Sequence, residues 1–368
     1  MTDVTDTPDA PLPDRLARAI TLAGPMPVSQ FMAAANAHYY ATQQAIGAGG
    51  DFVTAPEISQ MFGELIGLWC ADTWARMGGP EPVLLVELGP GRGTLMADAL
   101  RAARVAPGFG AALRLHFVEI SPALRARQGQ TLAQSAGAAR PTWHESLDQV
   151  PDGPLLLVAN EFFDALPIRQ FEKRPEGWCE RLVTLAPDGE TFAFALAPPG
   201  PQAAALLPAA LRAAAPGAVA EVSAPAIAIA GEIGRRLATG GGAALIIDYG
   251  HAEPRTGATL QAVRRHAAHP VLEDPGAADL TAHVDFAMLA RAATEAGARD
   301  HGPVPQGRFL EALGIGARAR TLGESATPDQ ASEIASALRR LTHPREMGEL
   351  FKVLALAHPD LGPPAGFS

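Results

Sequence analysis

The sequence predicts an α/β protein built on a doubly wound, mostly parallel sheet, with a helical N-terminal lid and an insertion after the fourth strand. Three observations predict it. Val83–Leu88 (VLLVEL) is a nearly continuous apolar run, the pattern of a strand buried on both faces. It enters Gly89-Pro90-Gly91-Arg92-Gly93 directly, and Leu95–Arg104, a run of good helix formers, follows. Further apolar runs at 113–120, 154–160 and 243–249 alternate with helical stretches, the βαβ order of one doubly wound sheet.

Taken in order, residues 1–14 carry four Asp, three Pro and no base, and read as a disordered acidic tail rather than a secretory or transit segment. Leu16–Leu22 and Val28–His38 read as helices, with Ser29 capping the second. Ala23-Gly24-Pro25-Met26-Pro27 between them is a Gly-then-Pro stop. Thr54 and Pro56 start a helix expected from Glu57 to Met77. Its apolar face is Ile58, Met61, Phe62, Leu65, Leu68, Trp69 and Trp74, and Gly63 with Gly67 lets another backbone come close. Residues 1–80 are thus a tail and a helical region, and 81–368 the sheet domain. Leu113–Ile120 is the second strand, 141–145 a short third, and 154–160 a buried fourth ending at Asn160-Glu161-Phe162-Phe163-Asp164. Residues 168–197 alternate like hairpins and 198–216 are Ala/Pro-rich, so 168–216 is read as an inserted substrate or partner subdomain. A helix near Pro225–Ala238 precedes a fifth strand, Ala243–Tyr249, and Thr259–Val263 is another short strand. A helix is expected from the 279–286 segment to Gly297, capped by Thr281 or Asp279. Helices at 306–313 and 330–341 and a final strand at 350–356 complete the order.

Composition bounds the function. The 368 residues are 48% hydrophobic and 18% charged, enough for a sizeable core and for two domains or one enlarged one. A net charge of -10 opposes electrostatic nucleic-acid binding and favours a basic peptide substrate. Cys70 and Cys179 stand alone, without metal spacing, and read as inert thiols in a reducing compartment. No eighteen-residue apolar run exists, so no membrane span is expected.

The ligand of the glycine turn is decided by its surroundings. A dinucleotide fingerprint wants G-x-G-x-x-G, but Thr94 occupies the sixth position, which places a nicotinamide oxidoreductase last. Glu87 lies two residues before the first glycine, and Glu119 at the carboxyl end of the next strand can take both ribose hydroxyls of a nucleoside. The alternative is an ordinary βα turn with Glu119 capping the helix at Ser121-Pro122. The Glu87-x-Gly89-x-Gly91-x-Gly93 form resembles the first motif of class I S-adenosylmethionine-dependent methyltransferases.

Longer segments carry a closer resemblance. Gly50–Gln60, Val86–Thr94, Asn160–Pro167, Ile247–Gly250, Gly276–Phe286 and Gln306–Leu310 resemble the MidA family of mitochondrial complex I assembly methyltransferases and their bacterial relatives, across 16–356. The resemblance implies a Rossmann-like class I methyltransferase fold and S-adenosyl-L-methionine as cofactor. It also implies protein arginine methylation of a complex I subunit bordering the quinone site. Contacts to the cofactor fall to Glu87, Gly89, Gly91, Gly93, Glu119, Ile120, Thr54 and Pro56. The segment 41–48 lacks the family's Asp-Pro-Phe-Gly pattern, and the mitochondrial targeting sequence is absent. A bacterial cytoplasmic protein is expected, against the mitochondrial matrix for eukaryotic relatives, with a homodimer left open.

An arginine acceptor stays protonated in water and its lone pair is delocalised, so its site needs carboxylates that hold the guanidinium. Glu161 as clamp or proton acceptor and Asp164 as orienter are the first choice, with Asn160 beside them. The competing reading is that Asn160 and Asp164 cap turns while Glu161 is solvated. Glu57, Gln60, Tyr249 and His283 are the substrate-side candidates, although Glu57 and Gln60 also fit an ordinary helix surface. Asp248 joins Tyr249 at the strand end. His266 and His269 lack H-E-x-x-H context, so no metal is expected. Tyr39 and Tyr40 read as core. Two rivals remain: methylation of a small molecule, which needs a closed pocket rather than an open groove, and a scaffold without catalysis.

Overall fold

The computed structural model describes residues 10–42, 54–135, 140–264 and 267–367. The chain forms two compact units. One comprises Met1–Ala45, Ala165–Ala224 and Arg255–Ala282; the other comprises Ile46–Asp164, Pro225–Pro254 and His283–Ser368.

The second unit holds β1 (Val83–Leu88), β2 (Leu113–Val118), β3 (Thr142–His144), β4 (Leu155–Asn160), β5 (Gly242–His251), β6 (Arg299–Pro305) and β7 (Phe351–Ala357). Their spatial order is β3-β2-β1-β4-β5-β7-β6. Strands β1 to β5 run parallel, whereas β7 is antiparallel to both β5 and β6. Every residue of β1 and β4 is buried, which is why both read as unbroken apolar runs. Strand order reverses between β1 and β4, and the crevice beyond their carboxyl ends is where such sheets bind ligands.

Helix Gln60–Arg76 packs on helix Thr94–Ala102. A Cβ at Gly67 would lie 2.2 Å from the Ala99 carbonyl oxygen and one at Gly63 2.7 Å from Asp98 Cβ, so the expected close approach of backbones is present. The helix expected over 57–77 is broken. Ser59 is extended (φ -162°, ψ 137°), separating a turn of helix, Ala55–Ile58, from the long one, which it caps by accepting from Met61 N at 3.2 Å. Leu68 is 40% exposed and so leaves the apolar face drawn for it. Strand β6 was not anticipated, because Arg299-Asp300-His301-Gly302-Pro303 has no apolar alternation and lies at the sheet edge. The helix expected to start in 279–286 begins only at Phe286. Asp279–Thr281 pairs with Gln261–Val263 as a strand, and Asp285 is the cap, accepting from Met288 N at 3.1 Å.

The first unit joins the N-terminal helices Leu12–Ala23 and Val28–Thr42 to the inserted hairpins. Helix formation from Leu12 shortens the expected tail, and helix from Val28 leaves Ser29 no capping position. Strands Arg169–Arg174, Gly177–Leu185 and Phe192–Leu196 form the meander, and Val219–Val222 pairs with the first of them, so the insertion extends beyond residue 216. Leu16, Phe31, Met32, Ile168, Val183 and Ala282 share one core. The boundary drawn near residue 80 therefore does not coincide with the break between units. Asn36 staples this unit: its Nδ2 donates to Ala165 O and Leu280 O, and its Oδ1 accepts from Leu280 N. Tyr39 is core, whereas Tyr40 donates to Asp279 at 2.8 Å. Among the described residues no helix is long and apolar enough to cross a membrane.

Candidate functional site

The cleft lies at the carboxyl ends of β1 and β4. Gly89, Gly91 and Gly93 all adopt left-handed backbone (φ 60°, 53° and 81°), a conformation other residues reach only with strain. A Cβ on Gly89 would stand 2.8 Å from Phe162 Cδ2. Gly93 N donates to Pro90 O at 2.7 Å, closing the turn, and helix Thr94–Ala102 begins immediately. Its first residues, Thr94 and Leu95, line the cleft, where a helix start presents N–H groups that have no partner within the helix.

Three segments line this cleft: the glycine turn with Glu87, the Thr54-Pro56-Glu57 stretch, and Asn160 with Glu161. Glu87 is 3% exposed, and burial pushes its carboxyl up to about 8. Among the described residues its Oε2 finds no hydrogen-bond donor, and neither does Asn160 Oδ1. Buried acceptors of this kind normally have partners. Two unmatched acceptors beside bare glycines fit a ligand that brings a cationic donor.

Glu119 follows β2. Its Oε1 accepts from Ser121 N at 2.9 Å, and its Oε2 from Gln128 Nε2 at 3.1 Å. Capping and ligand binding are thus compatible, since each oxygen keeps a lone pair. Gln128 was not singled out from the sequence, yet it is fully buried and also donates to Gly91 O at 2.9 Å, tying Glu119 to the glycine turn. Trp143 Nε1 holds it by donating to Gln128 Oε1 at 2.8 Å. Burial raises the Glu119 pKa, with Ser121 N opposing. Ile120, next in the chain, is 64% exposed.

Glu57, a substrate-side candidate from the sequence, lines the cleft and binds the glycine turn. Thr94 Oγ1 donates to its Oε1 at 2.6 Å and Arg92 to its Oε2 at 3.3 Å. Gln60 is exposed and outside the cleft lining. Residues 50–53 of the same motif lie outside the described residues.

Glu161 terminates β4 with left-handed backbone (φ 49°), unusual for a side chain with a Cβ and typical of functional turns. Its Oε1 accepts from Ala55 N at 2.9 Å and Asn160 Nδ2 at 3.3 Å. Burial lifts its carboxyl to about 7, the Ala55 bond opposing and the Asp164 charge adding. Phe163 N and Asp164 N donate to Asp248 Oδ2 at 3.0 and 3.2 Å, and Tyr249 N to Asp248 Oδ1 at 2.9 Å. Asp248 is inaccessible to solvent, and burial, then the charges of Asp164 and Glu161, hold it well above the usual carboxylate range. Tyr249 and His283 meet edge to face at 5.5 Å, with Phe351 at 5.4 Å on Tyr249.

Cys70 is buried, and burial together with the Glu87 charge pushes its thiol up to about 12; Cys179 is buried and free. Among the described residues no group of His, Cys, Asp or Glu side chains could hold a metal ion. His269 contacts Glu273 O at 3.2 Å, and His266 lies outside the described residues.

Residues 65–304 match the model of a family described as S-adenosyl-L-methionine-dependent methyltransferases. The chain is 37% identical over 395 residues to the mitochondrial protein arginine methyltransferase NDUFAF7 homolog of Drosophila melanogaster, covering 97% of this chain and 88% of the relative. It is 36% identical to protein arginine methyltransferase NDUFAF7 of Homo sapiens, covering 95% and 84%. A crystal structure from Burkholderia thailandensis, solved with S-adenosyl-homocysteine bound, superposes with a TM-score of 0.84 at 33% identity, covering 96% of this chain and 93% of that one.

Proposed function

The chain belongs to the MidA family of S-adenosylmethionine-dependent methyltransferases, and we propose on that premise that its acceptor is an arginine of a protein. The relatives named protein arginine methyltransferases support this reading. We assign the substrate to a subunit of complex I near the quinone site, in the bacterial cytoplasm, following the family resemblance. The inserted hairpins, from residue 168 to the paired strand Val219–Val222, serve as its partner-facing subdomain.

When bound, the cofactor supplies an electrophilic methyl on a sulfonium. Glu87 and Asn160 offer their unmatched oxygens to its ammonium, and Gly89, Gly91 and Gly93 leave room against the backbone. Glu119 takes the ribose hydroxyls, and Ile120 covers the base. Thr54 and Pro56 close the opposite wall of the cleft, and Glu57 locks that wall to the turn.

The observation that carries the acceptor assignment is the state of Glu161. Its Oε1 is fixed by two donors, while its Oε2 receives none from the described residues. A guanidinium held there by a carboxylate has electron density drawn to one nitrogen and keeps little freedom. A carboxyl near 7 suits acceptance of the proton released when that nitrogen is methylated. Asp164 supports the clamp, and Tyr249 with His283 forms an aromatic wall on the acceptor side.

The test incubates purified protein, S-adenosylmethionine and unmethylated complex I, and locates added methyl groups by peptide mass spectrometry. Arginine methylation is expected, lost by roughly 10²-fold or more in Glu161→Gln, with S-adenosyl-homocysteine affinity nearly unchanged. Turnover retained by that variant removes Glu161 from the chemistry, and methyl transfer only to metabolites replaces the protein substrate.

A further inference from the structure

The acceptor side of the site is gathered by a residue that takes no place in the chemistry above. Glu161 and Asp164 stand on the tight turn that follows β4, and the left-handed backbone of Glu161 needs an external restraint. Tyr249 stands on the neighbouring strand, β5, against His283. One carboxylate touches both pieces. Asp248 Oδ2 receives Phe163 N and Asp164 N, and Asp248 Oδ1 receives Tyr249 N.

The side chain is fully buried, so these bonds have no competition from water and no substitute if lost. Its placement follows from β-sheet geometry. Ile247 pairs with Asn160 and its carbonyl accepts Glu161 N, so the next residue on β5 lies beside the turn just as the turn leaves the sheet. The cofactor side is restrained by other bonds: Glu57 on Thr94 and Arg92, and Gln128 on Gly91 and Glu119.

We propose that Asp248 is a positioning residue that sets the 161–164 turn and Tyr249 in register with each other, fixing the acceptor half of the site by bonds other than those that hold the glycine turn. The inference rests on the acceptor reading for its catalytic consequence, but its structural content stands apart from it.

The test compares Asp248→Asn and Asp248→Ala with the parent, and with Leu237→Ala, a fully buried change on the helix Ala224–Gly240 that costs stability away from the site. Amide hydrogen exchange reads the restraint directly. Exchange of the Phe163 and Asp164 amides is expected to accelerate at least about tenfold in Asp248→Ala, and less in Asp248→Asn, whose amide oxygen can still accept. Exchange over 89–95 and the affinity for S-adenosyl-homocysteine are expected to stay within about twofold. Turnover on an arginine substrate should drop through kcat and acceptor KM, while Leu237→Ala keeps both. If the parent binds S-adenosyl-homocysteine but methylates no arginine, the functional reading fails and the exchange data alone decide this proposal. Unchanged exchange at Phe163 and Asp164 overturns it. Loss of S-adenosyl-homocysteine binding by both Asp248 variants, with Leu237→Ala still binding, also overturns it, because Asp248 would then hold the whole sheet rather than one half of the site.

Discussion

Replacing Glu87 by Gln should make the protein more stable and a poorer cofactor binder at once. The carboxyl is buried and pushed from 4.5 to about 8. For an acid raised in the folded state, stability is full below the unfolded pKa and falls as pH rises toward the folded one. At pH 7 the unfolded chain ionises Glu87, since that pH lies roughly 2.5 above its ordinary 4.5, whereas the folded chain keeps it protonated, and the difference costs about 3 kcal/mol. Gln abolishes this penalty. With an unfolding entropy of roughly 2.1 cal/mol/K per residue over the chain, that corresponds to a rise of about 4 °C in Tm. The cost appears on ligand binding. A buried carboxylate bonded to an ammonium contributes on the order of 1.5–3 kcal/mol, less about 1.4 kcal/mol at neutral pH to remove its proton, so S-adenosylmethionine affinity should fall about tenfold at pH 8 and less at pH 6. Calorimetry in buffers of different ionisation heat should show nearly one proton released per cofactor bound by the parent at pH 7, and none by Glu87→Gln. A variant that is less stable and binds as tightly as the parent would refute the assignment of Glu87 to the ligand's cation.

Two further outcomes follow from the same geometry. Because Glu161 is raised from 4.5 to about 7, its base form fills as pH climbs, so kcat/KM should rise tenfold per unit below about 7 and level above it; a pH–rate profile in which the acid limb lies near 4.5 contradicts this. Gly67→Ala puts a Cβ on the Ala99 carbonyl and should cost about 1–3 kcal/mol by forcing the two helices apart, read as a lower midpoint in urea with the glycine turn otherwise intact.

Much of this was legible in the chain because the relevant physics is local. A strand buried on both faces must be apolar throughout, so β1 and β4 announced themselves, and glycines were the natural residues for three left-handed positions in five. The acids at strand ends could be placed by topology alone. What could not be read depends on partners distant in sequence. Glu57 sits where a helix-surface residue would sit, and only the fold brings it to Thr94 and Arg92. Gln128 lies among the polar residues of Pro122–Ser135, and nothing local distinguishes it. The break at Ser59 was masked by good helix formers on both sides, and Asp279–Thr281 was drawn into a helix because its strand partner is Gln261–Val263. The join of residues 12–42 to the inserted hairpins left no compositional trace, since it is a shared apolar core rather than a motif.

The antiparallel strand β7 also dictates when the sheet can be completed during synthesis. It lies between β5 and β6, so among the described residues β6 has no other neighbour in the sheet and β5 keeps one open edge until residues 351–357 leave the ribosome. Nearly all of the chain, including every residue of the cleft, is translated before that edge is covered. Until then β5 presents an apolar strand with unpaired backbone groups, the kind of surface that recruits other nascent chains or holdase chaperones. A stop codon shortly before Phe351 would therefore yield a protein that has every residue lining the cleft and still aggregates, so defects at the C-terminus should appear as loss of protein rather than loss of chemistry.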